Sequence, residues 1–276
     1  MIRPRRLMRS ALALLAGALF VVPSAAQDTE PERCPRFVAA IPHFMPASFT
    51  VPVQAQEGEV RLTFIGHATF LIESPAGVTI ATDYNDNVRP PILPDIVTMN
   101  RAHTTHFTFN PEPGIAHVLP GWGEDGNPAR HELTVDDVWI RNVTTNIRGG
   151  FGMSATIQRD MNSIFVFEVA GLCIAHLGHL HHTLTEDHLK ALGRIDVVLA
   201  PVDGTYTLNV DDMIGVLKAI QAPLVIPMHY FGPSSLARFI GRLEEHFTVE
   251  MSKTPSVVLA RSTLPKTPTV LVLPGH

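Results

Sequence analysis

The sequence is short of cysteine, of basic charge and of long apolar runs, and these shortages exclude several classes of site and partner. The two cysteines, Cys34 and Cys173, form no CxxC pair, so a cysteine-ligated metal site is excluded. Cys173 lies in an apolar run, and both a buried thiol and a disulfide with Cys34 remain open. Lysine and arginine number 21 against 26 acidic residues, which opposes binding to nucleic acid or to anionic lipid surfaces.

One long apolar stretch is present, and it lies near the start of the chain. It runs from Ala11 to Val22, follows four arginines, and precedes the small-residue sequence Pro23-Ser24-Ala25-Ala26. This order predicts a signal peptide over residues 1–26, and the stretch is shorter than the roughly 20 residues that span a bilayer. We therefore expect a periplasmic or secreted protein, cleaved near Ala26, with no integral membrane span in the mature chain.

The rest of the chain predicts a lead segment, residues 27–58, and one α/β domain, residues 59–276. Apolar and alternating runs predict strands at Val60–Glu73 (two strands around Gly66-His67), Val78–Thr82, Asp95–Met99, Val138–Val143, Ser163–Val169, Leu172–His176, Val197–Pro201, Leu224–Pro227, Val257–Ala260 and Thr269–Leu273. Helices are predicted at Thr183–Leu192, which begins with a Thr183/Glu186 capping box, at Asp211–Ala219 and at Leu236–Phe247. The Gly- and Pro-rich stretch from Thr108 to Arg130 predicts a surface loop. Strand meanders mixed with helices indicate two sheets packed face to face, with helices outside.

Histidine is abundant, and its placement carries the functional signal. Fourteen histidines are present, and many of them stand at the ends of predicted strands: His67, His103, His106, His176, His179, His181, His182 and His229. Binding groups of α/β sheets converge in the loops at strand ends. Imidazole is the usual protein ligand of zinc at such positions. The pattern therefore favours a metal site at one edge of the sheets.

A series of motifs gives this pattern a family resemblance. The stretch from Gly66 to Glu73 (GHATFLIE) resembles the opening signature of one branch of metallo-β-lactamase-fold proteins, which includes ascorbate-phosphate lactonases and N-acyl-phosphatidylethanolamine phospholipase D. The similarity continues through Asp83, His103 with His106, Asn162-Ser163, His176-Leu177-Gly178, Leu199–Gly204 and Pro227–Tyr230. It covers roughly residues 60 to 245 and implies a four-layer αβ/βα sandwich and a metal-dependent hydrolase.

The metal motif departs from the family pattern. The family's His-x-His-x-Asp-His reads here from Arg101 to His106, with arginine in place of the first histidine and Thr105 in place of the aspartate. A further family histidine aligns with Asn146, and the aspartate that bridges two metals aligns with His179. The last family histidine is retained as His229.

These departures imply one metal instead of two. An arginine cation at position 101, together with Asn146, removes the first site. The second site keeps His106, His179 and His229, three imidazoles that match a catalytic zinc site with one open position. We therefore expect one zinc ion, with manganese or iron left open.

The resemblance also suggests roles around the metal. Without the family aspartate, His103 or Asp83 would act as general base, and Arg101 would stabilise an oxyanion or hold an anionic group of a small-molecule substrate. Asp83 is also suited to orient a ligating histidine. His67 and His176 are expected to be structural, and Asp203-Gly204 is expected to form a turn that shapes the pocket.

Two rival interpretations remain open at this stage. Four altered ligand positions also fit a non-catalytic periplasmic binding or scaffold protein with a degenerate metal site. A redox-active iron or manganese protein is the other, although no flavin- or haem-binding motif supports it.

Overall fold

A computed structural model describes residues 55–124, 126–149, 156–243 and 246–275. The predicted signal peptide, Cys34 and most of the lead segment lie outside these residues, so the structure tests neither the cleavage site nor a disulfide. Within the described ranges, no helix has the length and apolar character needed to cross a membrane.

The described chain contains fourteen strands, three α-helices and a short 3₁₀ turn. The strands are β1 Glu59–Gly66, β2 Thr69–Glu73, β3 Thr79–Ala81, β4 Ile96–Met99, β5 His117–Pro120, β6 Glu132–Val135, β7 Val138–Gly149, β8 Thr156–Val169, β9 Leu172–His176, β10 Val197–Pro201, β11 Leu224–Met228, β12 Thr248–Met251, β13 Ser256–Ala260 and β14 Thr269–Val272. The helices are α1 Glu186–Leu192, α2 Val210–Ile220 and α3 Pro233–Leu243.

The strands form two sheets that enclose the main core. The first sheet has the order β13-β1-β2-β3-β4-β5, and the second has the order β12-β14-β11-β10-β9-β8-β7-β6. Side chains such as Leu62, Phe70, Phe165 and Ile226 fill the space between the sheets. A second core forms where α1, α2 and α3 cover the other face of the second sheet. In the described part of the chain, all three helices lie on this sheet, and no helix covers the outer face of the first.

Burial explains why the predicted strands formed where they did. Strand β1 alternates half-buried and buried residues, as expected for a strand with one face on a core. Strands β9, β10 and β11 are buried throughout and pair in parallel, as expected for a sheet covered on both faces. The carboxyl ends of β9, β10 and β11 therefore point to the same edge of the second sheet.

Several sequence-based boundaries were wrong. The predicted loop from Thr108 to Arg130 contains β5, which pairs in parallel with β4 and carries too short an apolar run to be recognised. Helix α1 is capped by Thr185 and not by Thr183, because His188 and not Glu186 occupies the third helical position. The structure also adds β6 and β12, whose residues are mostly exposed and so lack a strong apolar pattern.

Candidate metal centre

Five histidines meet at the carboxyl ends of the strands. His67 follows β1, His103 and His106 follow β4, His179 follows β9, and His229 follows β11. The rings of His106, His179 and His229 have centroids 4.7 to 5.0 Å apart. One candidate ligand atom each from His67, His103, His106 and His229 lies within 4.8 Å of the others. Both sheets therefore contribute imidazoles to a single cluster.

The loop after β4 brings two of these histidines together. The N–H of His106 donates to the carbonyl of His103 at 2.9 Å, and the carbonyl of His106 accepts from the N–H of Asn100 at 3.1 Å. These bonds fold residues 100–106 into a tight loop, so the rings of His103 and His106 lie 4.5 Å apart.

Asp83 fixes the orientation of His106. One carboxylate oxygen of Asp83 lies 2.6 Å from Nδ1 of His106, and the other accepts from the Asn100 amide at 2.9 Å. All three side chains are fully buried. Because a carboxylate only accepts, Nδ1 of His106 carries the proton and Nε2 keeps its lone pair.

Asp203 lies beside His229 on the other side of the cluster, at a longer distance. Its Oδ1 lies 3.1 Å from Nδ1 of His229, and both side chains are buried. Burial on its own raises the pKa of Asp203, but hydrogen bonds from His229, Thr207 and Thr205 outweigh it and hold the pKa below its usual range. An ionised Asp203 places the proton of His229 on Nδ1, so Nε2 of His229 also keeps a lone pair.

These two lone pairs face each other. Nε2 of His106 and Nε2 of His229 are 3.1 Å apart, close to the roughly 3.3 Å expected between two ligands of a tetrahedral zinc site with Zn–N distances near 2.0 Å. Two acceptors without a proton between them repel each other, whereas a cation between them satisfies both. The donor set therefore fits a metal ion.

Backbone conformation at the site is strained. His67, Asp83 and His229 have φ values of 51°, 43° and 56°, in the left-handed region that residues other than glycine seldom adopt. The N–H of His229 donates to the carbonyl of His67 at 2.7 Å, which ties the two turns together. Such strain is retained where the surrounding structure fixes it, and it is common at functional sites.

The outer side of the cluster is a chain of hydrogen bonds. Thr105 Oγ1 lies 2.7 Å from Nδ1 of His103 and 2.9 Å from Nε2 of His67. Nε2 of His103 is 3.0 Å from Nε2 of His179, whose Nδ1 is 2.5 Å from Nε2 of His181. His67, His103, Thr105 and His181 are only half-buried, so this side of the cluster is open to solvent.

Burial favours the neutral form of His67, His106 and His179. Burial lowers the pKa of His67 to about 3, with further lowering by His229 and His103. Burial also holds the pKa values of His106 and His179 well below the usual range. In contrast, burial raises the pKa of Asp83 to about 6. Neutral imidazole is the form that binds metal.

Arg101 points to aromatic rings. Its guanidinium carbon lies 5.1, 4.9 and 5.5 Å from the ring centroids of Phe107, Phe109 and Trp122. Among the described residues, its guanidinium has no carboxylate partner. The cation is therefore held by ring faces and is available to an anion.

Asn146, the other altered position, is occupied by backbone contacts. Its side-chain oxygen accepts from the N–H of Asp160 at 3.1 Å, and its own N–H donates to Nε2 of His182 at 3.0 Å. The pairing of β7 with β8 shifts register at this point. Asn146 thus supports a strand irregularity.

The structure brings most of the sequence-predicted residues together and adds others. The predicted ligands His106, His179 and His229 and the predicted catalytic residues His103 and Asp83 all contact the cluster. His67, expected to be structural, lies within it, and its positive φ could not be predicted from one sequence. Asp203 was expected only to shape a turn. Its position directly after β10 was the sequence signal that could have identified it as a residue of the site. As expected, His176 is a core residue, bonded to the carbonyl of Ala68 at 2.8 Å.

A family model matches this region of the chain. Residues 61–229, more than half of the sequence, match the model described as a β-lactamase superfamily domain. The match begins in β1 and ends at His229, so it contains all five clustered histidines.

Similar proteins carry related names. A UPF0173 metal-dependent hydrolase of Methanoculleus marisnigri is 27% identical over 192 residues, which cover 62% of this chain and 81% of that protein. Another from Thermoplasma volcanium is 24% identical over 196 residues, which cover 62% of this chain and 84% of that protein.

Two solved structures of metallo-hydrolases are similar to this chain. A proposed zinc-dependent hydrolase of the metallo-β-lactamase superfamily from Thermotoga maritima superposes with a TM-score of 0.56 and 28% identity, covering 79% of this chain and all of that one. A metallo hydrolase from Ignicoccus hospitalis, 18% identical, gives a TM-score of 0.52 and covers 79% of this chain and 97% of its own, which shows the fold alone. The predicted α/β sandwich of the metallo-β-lactamase type is thereby confirmed.

Proposed function

Because the chain belongs to the β-lactamase superfamily, we propose that it is a metal-dependent hydrolase whose reaction takes place at the histidine cluster. The observation that carries this proposal is the position of Nε2 of His106 and Nε2 of His229, 3.1 Å apart, with a buried carboxylate beside Nδ1 of each ring. Related proteins named as metal-dependent hydrolases support it.

A metal bound there would polarise the substrate and lower the pKa of a bound water to near 7. The chain's own residues supply orientation. Both carboxylate oxygens of Asp83 already take part in hydrogen bonds, one with His106 and one with Asn100. Asp83 therefore orients His106 and is poorly placed to accept a proton from water. His103 is half-buried on the open side and lies within reach of small molecules that enter the cluster.

One ion per chain fits the altered positions. Arg101 lies against Phe107, Phe109 and Trp122, and Asn146 bonds to the backbone of β8, so neither position offers a ligand for a second ion. Zinc is the metal that suits neutral imidazoles best in a site with an open position. Arg101 in turn suits a small-molecule substrate that carries an anionic group.

Elemental analysis of the untagged protein tests this function. We expect about one zinc per chain, loss of the metal in His106→Ala and His229→Ala, and retention in the control His246→Ala, whose side chain is exposed. Cleavage of an ester, lactone, amide or phosphodiester substrate should depend on zinc. Two ions per chain, or none, would contradict the proposal.

Export is a second part of the proposal. The arginine-rich start, the apolar stretch Ala11–Val22 and the small residues up to Ala26 support cleavage and a periplasmic or secreted location. Mass spectrometry of the natively produced protein should find an N-terminus near Gln27 in the exported fraction. An intact N-terminus in the cytosol would contradict it.

A further inference from the structure

A chain of hydrogen bonds leads from strand β7 into the cluster, and its first donor is unambiguous. The main-chain N–H of Arg148 donates to Nδ1 of His181 at 2.9 Å, and Nε of the same arginine donates to that atom at 3.3 Å. Neither arginine group can accept a hydrogen bond. Nδ1 of His181 must therefore carry a lone pair.

This donor sets the direction of every later bond. A neutral His181 with a lone pair on Nδ1 has its proton on Nε2, and donates it to Nδ1 of His179 at 2.5 Å. The proton of His179 is then on Nε2, 3.0 Å from Nε2 of His103. His103 accepts there, and its own proton on Nδ1 goes to Thr105 Oγ1 at 2.7 Å.

The rings of His181 and His179 are neutral and fixed in position by their hydrogen bonds. Nδ1 of His181 accepts from Arg148, and Nδ1 of His179 accepts from His181, so neither ring carries a second proton. The main-chain N–H of His179 donates to the amide oxygen of Asn162 at 2.7 Å, which fixes the ring's position.

We propose that His181 is a positioning residue: anchored by Arg148, it fixes the proton of His179 on Nε2, so that His179 enters the site as a hydrogen-bond donor and not as a metal ligand. The inference rests on the proposed function, because Nε2 of His179 would donate its proton in a hydrogen bond to a substrate oxygen or a developing oxyanion. It departs from the sequence-based expectation that His179 binds zinc.

A consequence follows for His103. With its proton on Nδ1, His103 has its Nε2 lone pair on the bond from His179 in the metal-free chain, and it can face a metal beside His106 and His229 only by giving up that bond, which frees the Nε2 proton of His179. His103, His106 and His229 also belong to the group whose ligand atoms lie within 4.8 Å of one another. His103, which the sequence suggested as a base, is therefore the candidate for the third ligand, because Nε2 of His67, the fourth member of the group, is bonded to Thr105.

Long-range ¹H–¹⁵N correlation spectra of the metal-free protein test the proton position directly, with His179 assigned from the His179→Ala spectrum. We expect a proton on Nε2 of His179 in the unaltered chain and in His181→Gln, whose amide N–H replaces the lost donor. His181→Leu should move the proton to Nδ1. His182→Gln is the control, because the ring of His182 also accepts a hydrogen bond from a main-chain N–H of β7, that of Asn146. This variant should leave the proton of His179 on Nε2. A proton on Nδ1 of His179 in the unaltered chain would overturn the inference.

Zinc titration supplies the second arm. His179→Ala should keep zinc affinity within about threefold of the unaltered chain, whereas His103→Ala and His229→Ala should each lose at least about a hundredfold. Equal loss in His179→Ala and His229→Ala would contradict the assignment of His179 as a donor. Absence of zinc binding in the unaltered chain would refute the proposed function, while the spectra would still decide the role of His181.

Discussion

Two buried carboxylates face histidines at this site, yet their pKa values move in opposite directions. Burial raises the pKa of Asp83 to about 6, against the opposing effects of His176 and of the hydrogen bond from Asn100. Asp203 is also buried, but it accepts from His229, Thr207 and Thr205, and its pKa is lowered. Asp203 accepts more hydrogen bonds than Asp83, and these outweigh its burial, so Asp203 stays ionised at a pH near 6 at which Asp83 takes up a proton.

At the same scale, we predict that Asp83→Asn weakens zinc binding. The asparagine amide has one oxygen and no charge, so it cannot accept from His106 and from Asn100 at the same time, and the ring of His106 loses orientation and basicity. Losing such a partner costs roughly 10- to 100-fold in metal affinity. Competition with a chelator measures the effect. Asp187→Asn, which removes an exposed carboxylate on α1, is the matched control. Equal affinities in the two variants would remove Asp83 from the metal centre.

Arg101 should affect substrate binding and not metal binding. A charge-assisted hydrogen bond contributes about 1.5–3 kcal/mol, so Arg101→Ala should raise KM for an anionic substrate by roughly 10- to 100-fold. Arg101→Lys should recover only part of this, because an ammonium lacks the planar guanidinium that lies on Phe107, Phe109 and Trp122. Steady-state kinetics with two substrates that differ by one anionic group gives the measurement. A change in KM for the neutral substrate alone would contradict it.

At the scale of elements, strand order and strand ends determined how much the sequence could predict. Apolar runs located the buried strands, and the loops after them held His103, His106, His179 and His229, so the cluster could be predicted. The proton positions could not, because they depend on partners far apart in sequence, such as Arg148 for His181. Weakly apolar strands such as β5 were missed for the same reason: their pairing and not their composition defines them.

The cap of α1 provides a test at this scale. Thr185 accepts from the N–H of His188, and Nδ1 of His188 accepts from the N–H of Thr185, although the sequence suggested Thr183. Replacing an N-cap threonine by alanine costs about 1 kcal/mol. Thr185→Ala should therefore lower the free energy of unfolding by about 1 kcal/mol in urea titrations. Thr183→Ala should have a smaller effect, and the reverse order would restore the sequence-based boundary.

At the scale of the whole molecule, the metal centre joins the two sheets. His67, Asp83, His103 and His106 follow strands of the first sheet, whereas His179, Asp203 and His229 follow strands of the second. The hydrogen bond from His229 to the carbonyl of His67 is a direct link between them. A ligand that binds only the folded chain stabilises it, by about 2.7 kcal/mol at a concentration 100 times its Kd. Zinc should therefore raise the melting temperature of the whole domain.

Acid should destabilise the metal-free protein through the same cluster. His67, His103, His106 and His179 have pKa values below 6.5 in the folded chain, to about 3 for His67, so the unfolded chain binds more protons once the pH falls below 6.5. The stability that these neutral imidazoles contribute is thus fully present above pH 6.5, and it is lost as the pH falls from there towards 3. Asp83, with its pKa raised to about 6, opposes this loss between pH 6 and 3.8, but one carboxyl is outnumbered by four imidazoles.

Urea titrations of metal-free protein should show that the free energy of unfolding falls by at least about 1.4 kcal/mol between pH 7 and 5, the equivalent of one pKa unit. His67→Gln should reduce that loss, whereas His246→Gln, on the surface, should not. Stability that stays constant over this range would mean that the imidazoles are not held neutral by burial.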